Sequence, residues 1–237
     1  MKNRTLAIVI VTAFVLVSSY QASAQTKPSD DLPKYEVAAD FSSLTLDPGT
    51  TLPGLGGRFT FNLNKHVAIE GAGYFFPGKC EFCAGSNTGR VIEGLFGVKA
   101  GKRFEKWGIF GKVRPGFASF GRGAFNVTPA SSTITAGQVQ CYGPNPSAPA
   151  PCFSIESVGL THPVLDLGAV LEFYPTKKIV VRFDGGDTLI HHGRRTFNTL
   201  LLDPANPTSG IPILVPITDP GFTRNSLQFT AGVGFRF

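Results

Sequence analysis

The last stretch of the chain, FTRNSLQFTAGVGFRF at residues 222–237, decides the fold. From Leu227 onward every second residue is apolar or aromatic, in the order Leu227, Phe229, Ala231, Val233, Phe235 and Phe237. The residues between them are small or polar: Gln228, Thr230, Gly232, Gly234 and Arg236. A period of two with one apolar row predicts a β-strand whose two faces meet different surroundings.

The same stretch ends in a more specific pattern. A polar residue, a glycine and two aromatic residues on one face follow one another at Thr230, Gly232, Phe235 and Phe237. This ending resembles the C-terminal assembly signal of bacterial outer-membrane β-barrels. The resemblance implies that the last strand directs insertion of the barrel.

The start of the chain predicts export. Residues 1–24 have the features of a cleaved secretory signal peptide: Lys2 and Arg4 give a charged start, an apolar run follows, and small residues at 22–24 precede the cleavage site. The apolar run is shorter than the about 20 residues that span a bilayer. We expect residues 25–34 to form a flexible periplasmic lead.

Composition points to strands joined by turns and loops. The chain contains 28 Gly, 18 Pro and 21 Phe, and no later apolar run is long enough for a transmembrane helix. Without Lys2 and Arg4 there are 20 basic and 16 acidic residues, a net charge of +4. Because this excess is small and has no basic run, nucleic-acid binding is not expected. We also expect no cofactor.

Alternation predicts an all-β chain of eight strands over residues 35–237, at residues 35–46, 54–63, 67–76, 89–101, 107–120, 162–174, 178–190 and 222–237. The connections after the second, fourth and sixth strands are short. Those after the third, fifth and seventh are long, at about 77–88, 121–161 and 191–221, while the first, at 47–53, is brief. Short turns on one side and long loops on the other are typical of an outer-membrane barrel with both termini in the periplasm.

The polar rows of these strands carry balanced charge. Their members are Glu36, Asp40, Arg58, Glu70, Glu93, Lys99, Lys112, Arg114, Asp166, Glu172, Arg182, Asp184, Arg224 and Arg236. In a transmembrane barrel these side chains would form a charge network in the lumen. In a soluble lipocalin-like barrel the same rows would face water, so alternation alone leaves both folds open.

Aromatic residues favour the membrane. They cluster near both ends of the predicted strands, as Tyr35, Phe61, Trp107, Phe173, Phe235 and Phe237 on the turn side and Phe75, Phe76, Phe117, Phe120 and Phe222 on the loop side. Two such belts match the two interfaces of a bilayer. Because eight strands enclose a space that side chains fill, we expect a barrel plugged by paired charges.

The assembled pattern resembles the small OmpA/OmpX-like outer-membrane β-barrel family, with residues 94–101 and 108–117 looking like one of its hairpins. The resemblance implies an eight-stranded antiparallel up-and-down transmembrane β-barrel in the outer membrane of a Gram-negative bacterium. It also implies barrel-assembly machinery, outer-membrane lipid and lipopolysaccharide as partners. The family contains anchors, adhesion and resistance factors and narrow, porin-like pores.

Four cysteines in an exported chain predict disulfides. Cys80 and Cys83 form a CxxC pair in the first long loop, and Cys141 and Cys152 bracket a Pro-rich segment in the second. We expect one bond within each loop, with bonds between the two loops as the alternative. A redox pair or half of a zinc site is the other interpretation of the CxxC; no metal site is expected.

A basic cluster at His191, His192, Arg194 and Arg195 follows the seventh predicted strand. Its candidate function is contact with lipopolysaccharide phosphates, which suit the fork of an arginine. The alternative is an ordinary solvated start of a loop.

A catalytic function lacks a recognisable constellation. The nearest grouping of a hydroxyl, an imidazole and an acid is Ser157, His162 and Glu156, which lies in or beside the second long loop and matches no active-site motif. We therefore predict that the chain is not an enzyme. The favoured function is a membrane anchor whose external loops form a surface-interaction scaffold for an unidentified partner. The alternatives are a narrow passive channel and, less favoured, a lipid A-modifying enzyme or a soluble ligand binder.

Overall fold

The computed structural model describes residues 33–47, 50–78, 89–130, 139–141, 152–205 and 212–237. The described residues form strands and no helix. The strands are β1 (Tyr35–Asp47), β2 (Thr50–Asn62), β3 (Val67–Phe76), β4 (Val91–Arg103), β5 (Trp107–Ala130), β6 (Val139–Cys141), β7 (Cys152–Phe173), β8 (Ile179–His192), β9 (Arg195–Leu202), β10 (Pro212–Asp219) and β11 (Phe222–Arg236). The predicted signal peptide and the lead as far as residue 32 lie outside the described residues.

Eight of these strands close into a barrel, which confirms the predicted fold. Neighbours pair in the order β1, β2, β3, β4, β5, β7, β8 and β11, and β11 pairs with β1 again. All of these pairings are antiparallel. At the seam, Tyr35 and Phe237 each donate a backbone hydrogen bond of 2.9 Å to the other. The closed ring leaves the barrel wall without a free edge.

The outer face of the barrel wall is apolar and the inner face is charged, which is the distribution that a bilayer requires. Leu55 and Phe96, on the apolar rows, are 70% and 65% exposed, whereas Glu70, Lys99 and Arg114, on the charged rows, are 0% exposed. A water-soluble protein has the opposite distribution, and a barrel wall in hydrocarbon has this one. The lipocalin-like alternative is wrong, because its charged rows would face water.

Among the residues that the structure describes, none forms a helix with the length and apolar character needed to traverse a bilayer.

One rim of the barrel, here called the turn rim, is built from tight reversals. Residues 63–66 join β2 to β3, with Leu63 N donating to Val67 O at 3.0 Å. Residues 104–106 join β4 to β5, and residues 174–178 join β7 to β8. The chain enters at the same rim, where Asn62 Nδ2 donates to Pro33 O at 2.8 Å. The last residues of the predicted lead are therefore already held to the barrel.

The opposite rim, here called the loop rim, has more regular structure than predicted. β5 continues to Ala130 and pairs with β7 as far as Cys152, where an irregular segment at 121–161 was expected. The register shifts between Phe120 and Ala124, and such a bulge lets a hairpin bend at the edge of a barrel. β9 and β10 form a separate two-stranded sheet within the predicted loop at 191–221. β1 and β2 also extend to Asp47 and Thr50, beyond their predicted ends.

Candidate functional site: the barrel interior and the loop rim

The predicted charge network lies inside the barrel, because each of its members belongs to the inward row of a strand. Thirteen of the fourteen residues are buried. The exception is Arg224, which is half-buried near the loop rim with its guanidinium 5.9 Å from the ring centre of Phe222.

Arg182 is the hub of the network. Its Nη2 donates to Glu70 Oε2 at 3.0 Å and to Asp184 Oδ2 at 2.9 Å. Lys99 lies on the other side of Glu70, with 3.4 Å between Nζ and Oε1, and also pairs with Glu172. Four strands are joined through these five side chains, and each charge faces an opposite charge, as burial requires.

A second group of charges lies beside this hub. Arg114 Nε donates to Asp166 Oδ2 at 2.7 Å. Lys112 Nζ lies 3.1 Å from the same oxygen and 3.6 Å from Asp184 Oδ2. Asp184 therefore connects the two groups into one network.

The seam strands β1 and β11 contribute two more contacts. Arg58 Nη1 donates to both carboxylate oxygens of Asp40, at 3.2 and 3.1 Å, and Arg236 Nε lies 3.4 Å from Glu36 Oε1. Gly232 lies opposite Asp40 across the seam. A Cβ at this glycine would come 1.8 Å from Asp40 Oδ1, so the carboxylate occupies the space that any side chain there would need.

Arg103 is a member of the network that was not predicted, because it falls in the turn expected after the fourth strand. Arg103 Nε donates to the Tyr174 hydroxyl at 2.9 Å, and Nη2 donates to Asn62 Oδ1 at 3.1 Å. The same Nη2 lies 3.5 Å from both Glu36 and Glu172. Arg103 has the same parity as Glu93 and Lys99 on β4, so continuing the period of two would have found it.

An apolar cluster, also missed, fills the interior on the loop side of the charges. Its members share inward orientation and burial: Leu44, Leu46, Leu52, Tyr74, Phe76, Val91, Leu95, Ala118, Phe120, Val164 and Ile190. Glu93 lies on the boundary between cluster and network, where its Oε2 accepts a hydrogen bond from Gln228 Nε2 at 2.7 Å. The interior is thus an ion-paired layer beneath an apolar layer.

Three residues of the predicted loop-side aromatic belt do not face outward. Phe76 and Phe120 are 0% and 4% exposed and belong to the apolar cluster. Phe222 is on the inward row of β11 and stacks on His192, with 4.5 Å between ring centroids. The phase predicted for these strands is confirmed, because Phe75 and Phe117 on the apolar rows are exposed. Phe76, Phe120 and Phe222 have the opposite parity within the same strands and so belong to the inward rows. On the turn side, Tyr35 and Phe61 are half-buried and the other four predicted members are exposed.

The basic cluster after β8 divides between two environments. His192 is half-buried, with its ring centroid 4.2 Å from that of His162. His191 is exposed and contacts Thr223 Oγ1 at 3.0 Å. Arg194 is exposed, and Arg195 Nη2 lies 3.9 Å from Asp219 Oδ2. The structure therefore does not bring all four side chains together, since the adjacent histidines point to opposite faces of the strand.

The weighed catalytic grouping does not assemble. Ser157 and His162 are five residues apart on the same strand, about 17 Å at the usual rise, and their opposite parity turns them to opposite faces. Ser157 and Glu156 are exposed, while His162 packs against His192 and Phe120. A hydroxyl, an imidazole and an acid at these positions cannot act on one bond.

The cysteines of the second long loop lie opposite each other. Cys141 is the Cα partner of Cys152 in the β6–β7 ladder, and Cys152 is disulfide-bonded. This register suits the predicted bond between them, and that pairing stays a prediction. Cys80 and Cys83 lie outside the described residues. In the described part of the chain, no three His, Cys, Asp or Glu side chains are grouped to hold a metal ion.

The residues of the C-terminal pattern occupy both faces of β11. Thr230 is buried, with its Oγ1 3.2 Å from Ser42 Oγ. Phe235 and Phe237 are exposed, and the Phe237 ring centroid lies 5.8 Å from that of Tyr35. Their role in assembly stays a prediction.

A closed ring of eight antiparallel strands with charges inside and apolar rows outside is now established. The chain has the fold of the small outer-membrane β-barrels. No protein-family model matches the chain, and no curated protein matches it.

Several solved structures resemble the barrel at low sequence identity. The attachment invasion locus protein Ail of Yersinia pestis is 12% identical, with 86% of this chain and 96% of that chain covered and a TM-score of 0.42. The N-terminal β-barrel domain of Pseudomonas aeruginosa OprF is 12% identical, with 85% and 97% covered and a TM-score of 0.40. The outer membrane protein OprG of the same species is 9% identical, with 87% and 97% covered and a TM-score of 0.40.

Proposed function

We propose that the chain is a non-enzymatic anchor of the bacterial outer membrane that presents its loop-side hairpins as an interaction scaffold. The observation that carries the proposal is the filled interior. The apolar cluster includes Leu44, Phe76, Val91 and Ile190, all at most 1% exposed, and the charge network closes the space beneath it. Such an interior stabilises a rigid support and favours an anchor over a narrow passive channel.

The strands that rise from the loop rim are suited to contact with a partner. The β5–β7 ladder continues beyond the bulge to Ala130 and Cys152, and β9 and β10 expose Leu201, Leu202 and Ile213. Exposed apolar side chains on ordered hairpins above a rigid barrel favour binding. A Cys141–Cys152 bond would further restrict the first hairpin.

In this proposal the turn rim and both chain ends face the periplasm, and the loop rim faces the outside. His191 and Arg194 are then exposed toward lipopolysaccharide phosphates, with Arg195 beside them. His192 contributes packing within the rim instead. Barrel-assembly machinery would engage β11 during insertion.

Planar-bilayer recording tests the central proposal. Purified barrel should produce no stable conductance steps, because the side chains of both interior layers block the lumen. Stable steps whose size changes in Arg114→Gln would overturn the anchor in favour of the channel. Release of acyl chains from lipid A that is lost in Ser157→Ala would instead establish an enzyme.

The scaffold function needs a separate test. Replacing residues 196–218 with a short Gly-Ser linker should leave the barrel folded, because β9 and β10 form their own sheet. Heat-modifiable migration on a detergent gel should be unchanged, whereas adhesion of cells displaying the barrel to a host-cell monolayer should decrease. Adhesion equal to that of the intact chain would remove this hairpin from the proposal.

Lipopolysaccharide contact is tested with the purified lipid as probe. The double variant His191→Gln/Arg194→Gln should lower the thermal stabilisation that lipopolysaccharide gives to the folded barrel. His66→Gln/Glu105→Gln, exposed at the other rim, is the control. Equal stabilisation of both variants would contradict the contact.

A further inference from the structure

The exposed basic residues are divided by type between the two rims. At the turn rim, the exposed cations of the described chain that stay charged at neutral pH are all lysines: Lys34, Lys65, Lys102, Lys106, Lys177 and Lys178. At the loop rim, the fully exposed cations of the described chain are arginines: Arg90, Arg122 and Arg194. Within the described residues, Glu105 is the only acidic side chain exposed at the turn rim. The turn rim is therefore strongly cationic around its circumference.

These lysines lie at the edge of the apolar wall. Lys34 Nζ is 5.7 Å from the ring centroid of Phe61, and Lys102 Nζ is 5.2 Å from that of Phe104. Phe104 in turn stacks on Trp107, with 4.2 Å between centroids. Aromatic rings at this level lie at the boundary between hydrocarbon and water, and lysine stems extend along such rings to place their charge among the head groups.

We propose that this lysine rim binds the anionic head groups of glycerophospholipids in the leaflet that surrounds the turns. The lysines come from three turns, the end of β4 and the entering chain, so they form a ring rather than a concave pocket. A ring suits several lipid molecules side by side. The compact, mobile ammonium group attracts phosphate as a point charge without requiring one fixed geometry.

The proposal goes beyond anchoring through the hairpins, because it assigns a lipid preference to the other rim. The charge complementarity is local. Six exposed lysine side chains and one exposed acidic side chain lie at this rim, beside the head groups of one leaflet. Surface attraction of this type is additive over basic residues and is screened by salt.

Trp107 offers a reporter inside the proposed rim, because it is the only tryptophan in the chain. The full barrel is reconstituted in vesicles that contain either brominated phosphatidylglycerol or brominated phosphatidylcholine at the same mole fraction. Bromine quenches Trp107 fluorescence on contact, so quenching measures which lipid occupies this position. We expect a preference for phosphatidylglycerol of about fivefold at low ionic strength, decreasing toward one in high salt.

Matched variants distinguish an effect of the lysine rim from an effect of the total charge of the protein. Lys102→Gln/Lys106→Gln/Lys177→Gln should abolish most of the preference, whereas Arg90→Gln/Arg122→Gln/Arg194→Gln removes the same charge at the loop rim and should retain it. Equal quenching by the two lipids in the intact barrel would overturn the proposal. So would equal preferences in the two triple variants, which would show that total charge acts instead of this rim.

Discussion

At the scale of single residues, Gly232 shows how packing across the seam between β1 and β11 restricts which residue can occupy a position. The glycine belongs to the C-terminal pattern and also lies against the carboxylate of Asp40. That carboxylate cannot move freely, because both of its oxygens accept hydrogen bonds from Arg58. The requirement for glycine at this position is therefore steric and electrostatic.

Gly232→Ala should destabilise the folded barrel by about 1–3 kcal/mol, the usual cost of overpacking. The new methyl group would displace Asp40 from Arg58. Urea unfolding of the barrel in detergent micelles measures the change. Gly71→Ala is the matched control, because a Cβ added there would come no closer than 3.9 Å to its nearest neighbour, a Phe96 ring carbon. Equal effects at both glycines would contradict the steric explanation.

Glu70 is the acid on which the centre of the network depends, since it faces both Arg182 and Lys99. Glu70→Gln keeps the shape of the side chain and leaves the two buried cations with less opposite charge. We expect a loss of about 3 kcal/mol in the free energy of unfolding, typical of breaking a buried pair.

The same unfolding measurement on Glu105→Gln provides the comparison. That carboxylate is exposed in a turn, so its removal should change stability very little. A Glu70→Gln barrel as stable as Glu105→Gln would mean that the network adds nothing to stability.

At the scale of elements, the sequence predicted the barrel strands because apolar residues alternate with small, polar or charged residues along each of them. The positions of Glu93 and Lys99 show which residues of β4 point inward. Arg103 has the same parity, but the predicted strand ended at residue 101, before it. The apolar cluster was missed for a different reason. Leu44, Phe76 and Ile190 are chemically the same as the outward rows, so only strict continuation of parity separates wall from interior.

The strands beyond the barrel were missed because proline and glycine suggested loops. Pro129 lies in the extension of β5, and Pro216 lies in β10 opposite Asn198. A two-stranded sheet has open edges, where a proline without an N–H group is tolerated. Composition alone cannot distinguish such an edge from an irregular loop.

The last strand should be more sensitive to substitution at its end than at its centre. Phe235→Asp or deletion of Phe237 should greatly reduce the outer-membrane fraction of heat-modifiable protein. The bilayer cost of a carboxylate near an interface is small, about 0–1 kcal/mol, so a large loss would reflect recognition of the signal.

Phe229→Asp separates the two causes, because Phe229 is 57% exposed near the middle of the wall and a charge costs more at that depth. If Phe229→Asp impairs assembly more than Phe235→Asp, bilayer depth governs the effect and the C-terminal signal has been misread.

At the scale of the whole molecule, the wall encloses a charged layer that solvent ions do not reach. The side chains of Glu70, Lys99, Arg114 and Asp166 have no exposed area. Because buried pairs are screened far less than exposed ones, the unfolding free energy in zwitterionic micelles should change by less than about 0.5 kcal/mol between roughly 0.05 and 0.5 M salt. Chemical denaturation by urea at several salt concentrations checks this. A steady loss with salt would indicate that ions enter the lumen.

The seam between β1 and β11 also sets the order of events when the chain folds. Ser42 and Thr230 meet across it although 188 residues separate them along the chain, whereas the hairpins at the turn rim join residues a few positions apart. Local hairpins close quickly, and contacts between distant segments form slowly. Until β11 arrives, β1 keeps an unpaired edge whose backbone groups are costly in hydrocarbon. A nascent barrel must therefore be sheltered at that edge from the time its first strand appears until its last one does.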